Sequence, residues 1–250
     1  MARLSIIFIL IALLTACSSD KTENSTGTTE PAQQTTSEGQ SATPSLERAA
    51  LTEHEMKIQY PQVTNLGDAK REKTINSLIK NEARKAISYY AANETTMDID
   101  YTVKQMNDKV LSIQYTGYAN SKGAAHPNNI YFTTNVDLTT GMKMLLKDNV
   151  KLDDSFVKLL HQAKYVPFDP SLDLSKEAAN ELTNWSDAEL LTYMKQADDI
   201  GIGNVLNVFS YWTDDALGIS ISVPRALGDH VEFEISKADL AGKFIGAAAQ

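Results

Sequence analysis

The chain reads as α+β, with a mainly antiparallel sheet packed by helices. Three observations predict this. One 27-residue stretch, residues 67–93, places apolar side chains with helical spacing. The three runs after it alternate with a period of two. Beyond residue 150, helical segments come first and strand-like segments follow as a block, and such blocks favour α+β over alternating βαβ units. No self-similarity recurs at a fixed period. The folded body is expected over residues 52–250. A strand–helix–meander part would span 52–135, and an α+β part 136–250.

Taken in order, "HEMKIQYPQV" predicts a strand that Pro61 ends. "GDAKREKTINSLIKNEARKAISYYAAN" predicts a helix with Asp68 as its N-cap. Ile75, Leu78, Ile79, Glu82, Ala83, Ala86, Ile87 and Tyr90 share one face of it. "MDIDYTVKQMN" and "KVLSIQYTGYA" then alternate around an Asn107-Asp108 turn, and "NNIYFTTNVDL" alternates again. Thr140-Gly141 turns the chain into "MKMLLKD", a candidate fourth strand. "DDSFVKLLHQAKY", "LSKEAANEL" and "SDAELLTYMKQA" predict helices, the first with Phe156, Leu159 and Leu160 facing inward. "NVLNVFSYWTDDALGISISVPRALGDHVEFEIS" returns to strands, with turns at Asp214-Asp215 and Gly228-Asp229. "KADLAGKFI" predicts a short terminal helix.

The N-terminus addresses the chain to the envelope. Arg3 precedes an apolar run of 13 residues, Leu4–Ala16. That is short of the ~20 residues a membrane span needs, and it fits a secretory signal. It ends in Leu14-Thr15-Ala16-Cys17, the pattern of a bacterial lipobox. Cys17 is the single cysteine of the chain. Residues 1–16 are therefore expected to be a lipoprotein signal peptide and Cys17 the lipidated residue. Two or three acyl chains would make a stable anchor where one alone is marginal. Residues 17–51 are rich in Ser, Thr, Gln and Glu and poor in large apolar side chains. They are expected to form a disordered tether with a reach of roughly 30 Å. The expected location is the extracytoplasmic face of the cell membrane, or the outer membrane in a diderm, since Ser18 follows the cysteine.

Charge and motifs narrow the chemistry. The net charge is −9 and no basic run occurs, so nucleic acid is not an expected partner. No G-x-S-x-G elbow is present, and lipidation leaves no free thiol. His54, His126, His161 and His230 are far apart in sequence, so neither a catalytic constellation, a metal site nor a cofactor is expected. Three Asp-Asp pairs read as structural. Asp153-Asp154 suits a helix start, Asp198-Asp199 a helix exit, and Asp214-Asp215 a hairpin turn. Tyr115, Tyr118, Tyr131, Phe132, Tyr211 and Trp212 suit strands, with an exposed aromatic contact patch as the other reading.

"GYANSKGAAHPNN" holds His126 between two strands, where Pro127 keeps it out of helical geometry. It reads as a turn or as the edge of a ligand-facing loop. The segment "YANSKGAAHPNNIYFTTNVDLTTGMKMLLKD" resembles a bacterial extracytoplasmic domain family of unassigned function. Its members carry a Gly-Gly-Ala-His-like turn, an aromatic strand and a "D-L-x-T-G" block, matched here at Gly123–His126, Tyr131-Phe132 and from Asp137. "YWTDDALGISISVPRALGDHVEFEIS" resembles that family's C-terminal strands. The family is shared by a lysozyme-sensing anti-sigma factor (RsiV-like) and the non-catalytic N-terminal part of a peptidoglycan deacetylase (PdaC-like). The resemblance implies an α+β fold and work at the cell wall, and it does not imply deacetylase activity. The expected function is a lipid-anchored binding module for lysozyme, another wall hydrolase or wall glycan. The binding residues would be Tyr118, His126, Asn128, Tyr131 and Arg225. An envelope assembly lipoprotein with a protein partner and a wall-modifying enzyme are the alternatives.

Overall fold

The computed structural model describes residues 43–90, 94–201 and 206–246. The lipobox with Cys17 and most of the tether lie outside these residues. The fold is α+β, with two sheets that are mostly antiparallel.

The first sheet contains β1 (Ser45–Glu53), β2 (Met56–Thr64), β3 (Thr95–Met106), β4 (Val110–Ser121) and β5 (Asn128–Asp137), in that spatial order. β1 corrects the expected tether, because the folded body starts at Ser45 and not at residue 52. Glu47, Arg48, Ala49 and Ala50 are poor strand formers. The segment is held instead by its ladder to β2, from Ser45 opposite Thr64 to Glu53 opposite Met56. Pro61 does not end β2 either. β3 pairs with β2 only as far as Ile58, so Pro61 removes no bond to β3, and the ladder to β1 runs on through Pro61 opposite Arg48.

α1 (Ala69–Tyr90) connects β2 to its parallel neighbour β3, the crossover that such a pair requires. Asp68 accepts the Arg71 N–H at 3.0 Å and so caps the helix as expected. Ile75, Ile79, Glu82, Ala83, Ala86 and Ile87 are its buried residues. They pack on Ile58, Ile99, Ile113, Tyr115 and Phe132. Tyr115 and Phe132 stack there with ring centroids 4.4 Å apart. Each large apolar side chain buried in this layer contributes about 1.5–3 kcal/mol.

The second half follows a turn. "MKMLLKD" is not a strand: Lys143 makes one isolated bridge to Val136, and the chain then enters α2 (Leu146–Asn149). α3 (Asp154–His161) is capped by Asp153, which accepts the Ser155 and Phe156 N–H groups. β6 (Lys164–Val166) occupies the tail of the expected helix. α4 (Ser175–Thr183) and α5 (Asp187–Lys195) follow, the latter opened by a Ser186–Glu189 capping box. β7 (Val208–Trp212), β8 (Ala216–Ser222) and β9 (His230–Ser236) complete an antiparallel sheet of order β6-β9-β8-β7. The segment after β9 forms turns and not a helix, with Gly242 in left-handed geometry within it. Phe156, Leu160, Leu182, Leu190 and Met194 from the helices cover Leu217, Ile219, Val231 and Phe233 in a second apolar core. Gly218 is required where it stands. The Tyr211 ring lies flat on it, and a Cβ there would sit about 2.0 Å from the ring carbon Cζ.

The two sheets meet along the free edge of β7. Val208 carbonyl accepts the Asp198 N–H at 3.0 Å. Ser210 N–H donates to the Asp198 carboxylate at 2.5 Å. Ser210 carbonyl accepts Thr133 Oγ1 at 2.6 Å and Asn135 Nδ2 at 2.9 Å. Trp212 N–H donates to Ser112 Oγ at 2.9 Å. The polar side chains on the second face of β4 and β5 thus receive the backbone groups that β7 has no strand to give to. This explains why Ser112, Thr133 and Asn135 are fully buried in strands that otherwise read as apolar.

Candidate ligand cleft

A cleft of about 230 Å³ opens where the start of β5, the end of α1 and the β7–β9 sheet converge. β5 contributes Asn128, Asn129 and Tyr131, and α1 contributes Tyr89 and Tyr90. Phe209, Ser220, Ser222, Asp229 and His230 enter from the second sheet and its loops. Period-two geometry explains the last of these. On β9, His230, Glu232 and Glu234 alternate with Val231, Phe233 and Ile235. The apolar set fills the second core, so the polar set faces the first sheet.

His230 is 5% exposed, and neither ring nitrogen has a hydrogen-bond partner. Burial pulls its pKa down to about 4, with Asp229 opposing, so the imidazole is neutral at ordinary pH. The Tyr131 ring lies 4.5 Å from it and the exposed Phe168 meets it edge-on at 5.8 Å. Behind it, Glu232 accepts Gln114 Nε2 at 2.8 Å and the Tyr131 hydroxyl at 3.2 Å. The other Glu232 oxygen is 4.0 Å from His230 Nε2. Burial holds the Glu232 carboxyl above the usual carboxylate range, and Lys104 partly offsets this. Burial and then Glu232 push the Tyr131 hydroxyl well up. Tyr90 is pushed up to about 12, again mainly by burial. The cleft therefore presents un-ionised hydroxyls and a neutral imidazole.

A clamp fixes the mouth. Asp229 accepts the Asn129 N–H at 2.8 Å and Arg225 NH1 at 2.6 Å. Asn129 Nδ2 returns a bond to the Gly228 carbonyl at 3.2 Å. The β8–β9 loop is thereby tied to the first residues of β5.

Of the five binding residues expected from sequence, Asn128 and Tyr131 line this cleft. Arg225 reaches it through Asp229. Tyr118 stands opposite Asn129 in the ladder but is half exposed and outside the cleft. His126 is exposed in the β4–β5 loop, with Nδ1 3.3 Å from the Pro127 carbonyl oxygen, and it is not a lining residue. Five of the six strand aromatics are buried, leaving Tyr118 as the exposed one. Asp198 belongs to more than a helix exit. It is buried and accepts Leu146 N–H at 2.8 Å and Ser210 Oγ at 2.8 Å, besides the Ser210 N–H. His230, Phe209, Tyr89 and Tyr90 were not among the expected residues. The alternation of "HVEFE" put His230 on the face opposite Val231 and Phe233, and nothing in the sequence said what that face met.

The "D-L-x-T-G" block is a locked turn. The Asp137 carboxylate accepts Thr139 N–H and Oγ1 at 2.8 and 2.6 Å and Thr140 Oγ1 at 2.8 Å. Gly141 then takes a φ of 76° and returns its N–H to the Asp137 carbonyl. Among the described residues, no three His, Cys, Asp or Glu side chains gather as metal ligands would.

Two sheets joined edge to face around an aromatic cleft define the architecture, and part of it is similar to a known family. Residues 49–129 match the family model described as "Deacetylase PdaC", in line with the resemblance read from the sequence. Two solved structures of DUF3298 family proteins are similar to the chain. One is from Pseudomonas aeruginosa, at 12% identity over 83% of this chain and 96% of that one, with a TM-score of 0.46. The other is from Bacteroides fragilis, at 14% identity over 84% and 96%, with a TM-score of 0.49. No curated protein matches the chain.

Proposed function

We propose that this protein is a binding module at the extracytoplasmic face of the cell envelope, held there by lipid on Cys17, with the cleft as its ligand site. The observation that carries the reading is the convergence of Asn128, Tyr131 and the Arg225–Asp229 clamp on one concave, aromatic-lined site built by both sheets. Concave sites with apolar walls and a few fixed polar groups are where ligands bind. The ligand is wall-associated: wall glycan, or lysozyme or another wall hydrolase. The net charge of −9 is complementary to a basic hydrolase. The match of residues 49–129 to the "Deacetylase PdaC" model, read as a likeness to the non-catalytic part of such an enzyme, supports a binding role. Binding is also the chemistry the described residues support, because neither ring nitrogen of His230 is hydrogen-bonded to the Ser220 or Ser222 hydroxyl that lines the cleft with it.

Two measurements test this reading. Fractionation of the wild-type chain against Cys17→Ala should move the protein from membrane to soluble fractions. Calorimetric titration of the full chain with lysozyme, beside co-sedimentation with purified cell walls, should show saturable binding to one of them. Absence of both would leave an envelope assembly lipoprotein as the better reading.

A further inference from the structure

Among the described residues, His230 has two buried polar atoms without a hydrogen-bond partner. A buried polar side chain without a partner costs about 1–3 kcal/mol, so native structures rarely keep one without use for it. Here both ring nitrogens are unpartnered. A neutral imidazole carries one N–H donor and one acceptor nitrogen. The partner it lacks must therefore both accept and donate.

The surroundings limit the charge of that partner. Asp229 is the single carboxylate among the described cleft-lining residues, and no lysine or arginine is among them. It is already taken by Arg225 and by the Asn129 N–H. Arg225 in turn is held on Asp229, so among the described residues no unpaired cation faces the cleft to receive an anion. Glu232 stands behind His230, and two of its bonds, from Gln114 and Tyr131, end on the same oxygen. Beside aliphatic Ile200 and Val223, the remaining lining includes aromatic rings, amides and hydroxyls, among them Tyr131, Phe209, Asn128 and Ser220. Rings supply flat apolar surface with polar edges, and amides and hydroxyls both donate and accept. At about 230 Å³ the space is below the ~300–1,000 Å³ of drug-sized sites, so it fits one ring and not a chain.

We infer that the cleft binds one uncharged ring bearing hydroxyl and amide groups, of the neutral-sugar class, and that His230 at its floor exchanges hydrogen bonds with it. This rests on the reading of the molecule as a binding module and names what enters its site. Tyr131 is both a wall of the cleft and the link from His230 to Glu232. Occupancy should therefore be felt at the imidazole first.

The test uses the full chain in detergent with isotope-labelled histidine, following the ring signals of the four histidines. The probes are N-acetylglucosamine, which is neutral, glucosamine, which is cationic, and glucuronate, which is anionic. The expected result is a saturable shift of the His230 ring signals with the neutral sugar. Both charged sugars should be at least tenfold weaker, and binding should weaken at least tenfold in His230→Phe. Binding of a charged probe in preference overturns the inference, as does neutral-sugar binding that leaves the His230 signals in place. If no sugar binds while lysozyme or cell walls still do, the inference fails and the binding-module reading stands. If nothing binds, both fail. The wild-type spectra decide these outcomes even if the phenylalanine variant folds poorly.

Discussion

In the β4–β5 half of the first sheet both faces are buried, and they are built from opposite chemistry. Under α1, the face of Ile99, Ile113, Tyr115 and Phe132 is apolar. Toward the second sheet, the same strands present Ser112, Gln114, Thr133 and Asn135. The difference follows from what each face meets. A helix has satisfied its own backbone and asks for apolar contact. The edge of β7 has not, and asks for donors and acceptors. Burial alone therefore does not predict polarity; the hydrogen-bond state of the neighbour does.

Substitutions on the two faces can break or sharpen this contrast. The largest effect is expected under the helix. Ile79→Ala should lower the unfolding free energy by about 2–5 kcal/mol in denaturant titrations, as large-to-small changes in rigid cores do. At the seam, Asp198→Ala leaves Leu146 N–H, Ser210 N–H and Ser210 Oγ without their acceptor. It should cost about 3 kcal/mol. Asn135→Ala should cost less, about 1–2 kcal/mol, because Thr133 still serves the Ser210 carbonyl. A cost for Asn135→Ala as large as that of Ile79→Ala would mean that shape, and not edge satisfaction, governs the polar face.

The smallest effect at neutral pH, and the most pH-dependent, is expected at His230. Its folded pKa of about 4 lies below the ordinary 6.5. The unfolded chain takes up a proton that the native state refuses. The stability this gives is full above about pH 6.5 and is lost as pH falls toward 4, by about 3 kcal/mol. Glu232 and Asp198, both raised by burial, act in the opposite sense, since the native state accepts their protons first. Comparison of wild type with His230→Phe isolates the histidine. The variant should be within about 1 kcal/mol of wild type at neutral pH and about 2 kcal/mol more stable near pH 4.5. Parallel pH profiles would show that His230 is not held neutral by the fold.

The elements legible in the sequence were those whose period was set by one large apolar partner. α1 announced every residue of its buried face because a single sheet lies beneath it. β3, β4 and β5 alternated clearly enough to be ordered. β1 was not legible, because its stability comes from the ladder with β2 and not from its own side chains. "MKMLLKD" misled because its apolar residues serve a bridge and a short helix. Part of the candidate site was visible at the start of β5, in Asn128 and Tyr131. The rest comes from β7, β9 and the end of α1. Its assembly depends on how two sheets dock, which no local pattern encodes.

The seam at β7 also bears on how the chain can be cut. The natural place to divide it, near residue 136, looks like a boundary between two modules. A fragment comprising only the second half would keep Asp198 on the Val208 carbonyl and Ser210 N–H, but would leave the Ser210 carbonyl and Trp212 N–H on an open strand edge. The Thr133 and Asn135 side chains that donate to that carbonyl, and the Ser112 hydroxyl that accepts from Trp212, would be missing. Such an edge is a template for pairing with another copy. The C-terminal half expressed alone should aggregate, and the two halves are one folding unit in practice.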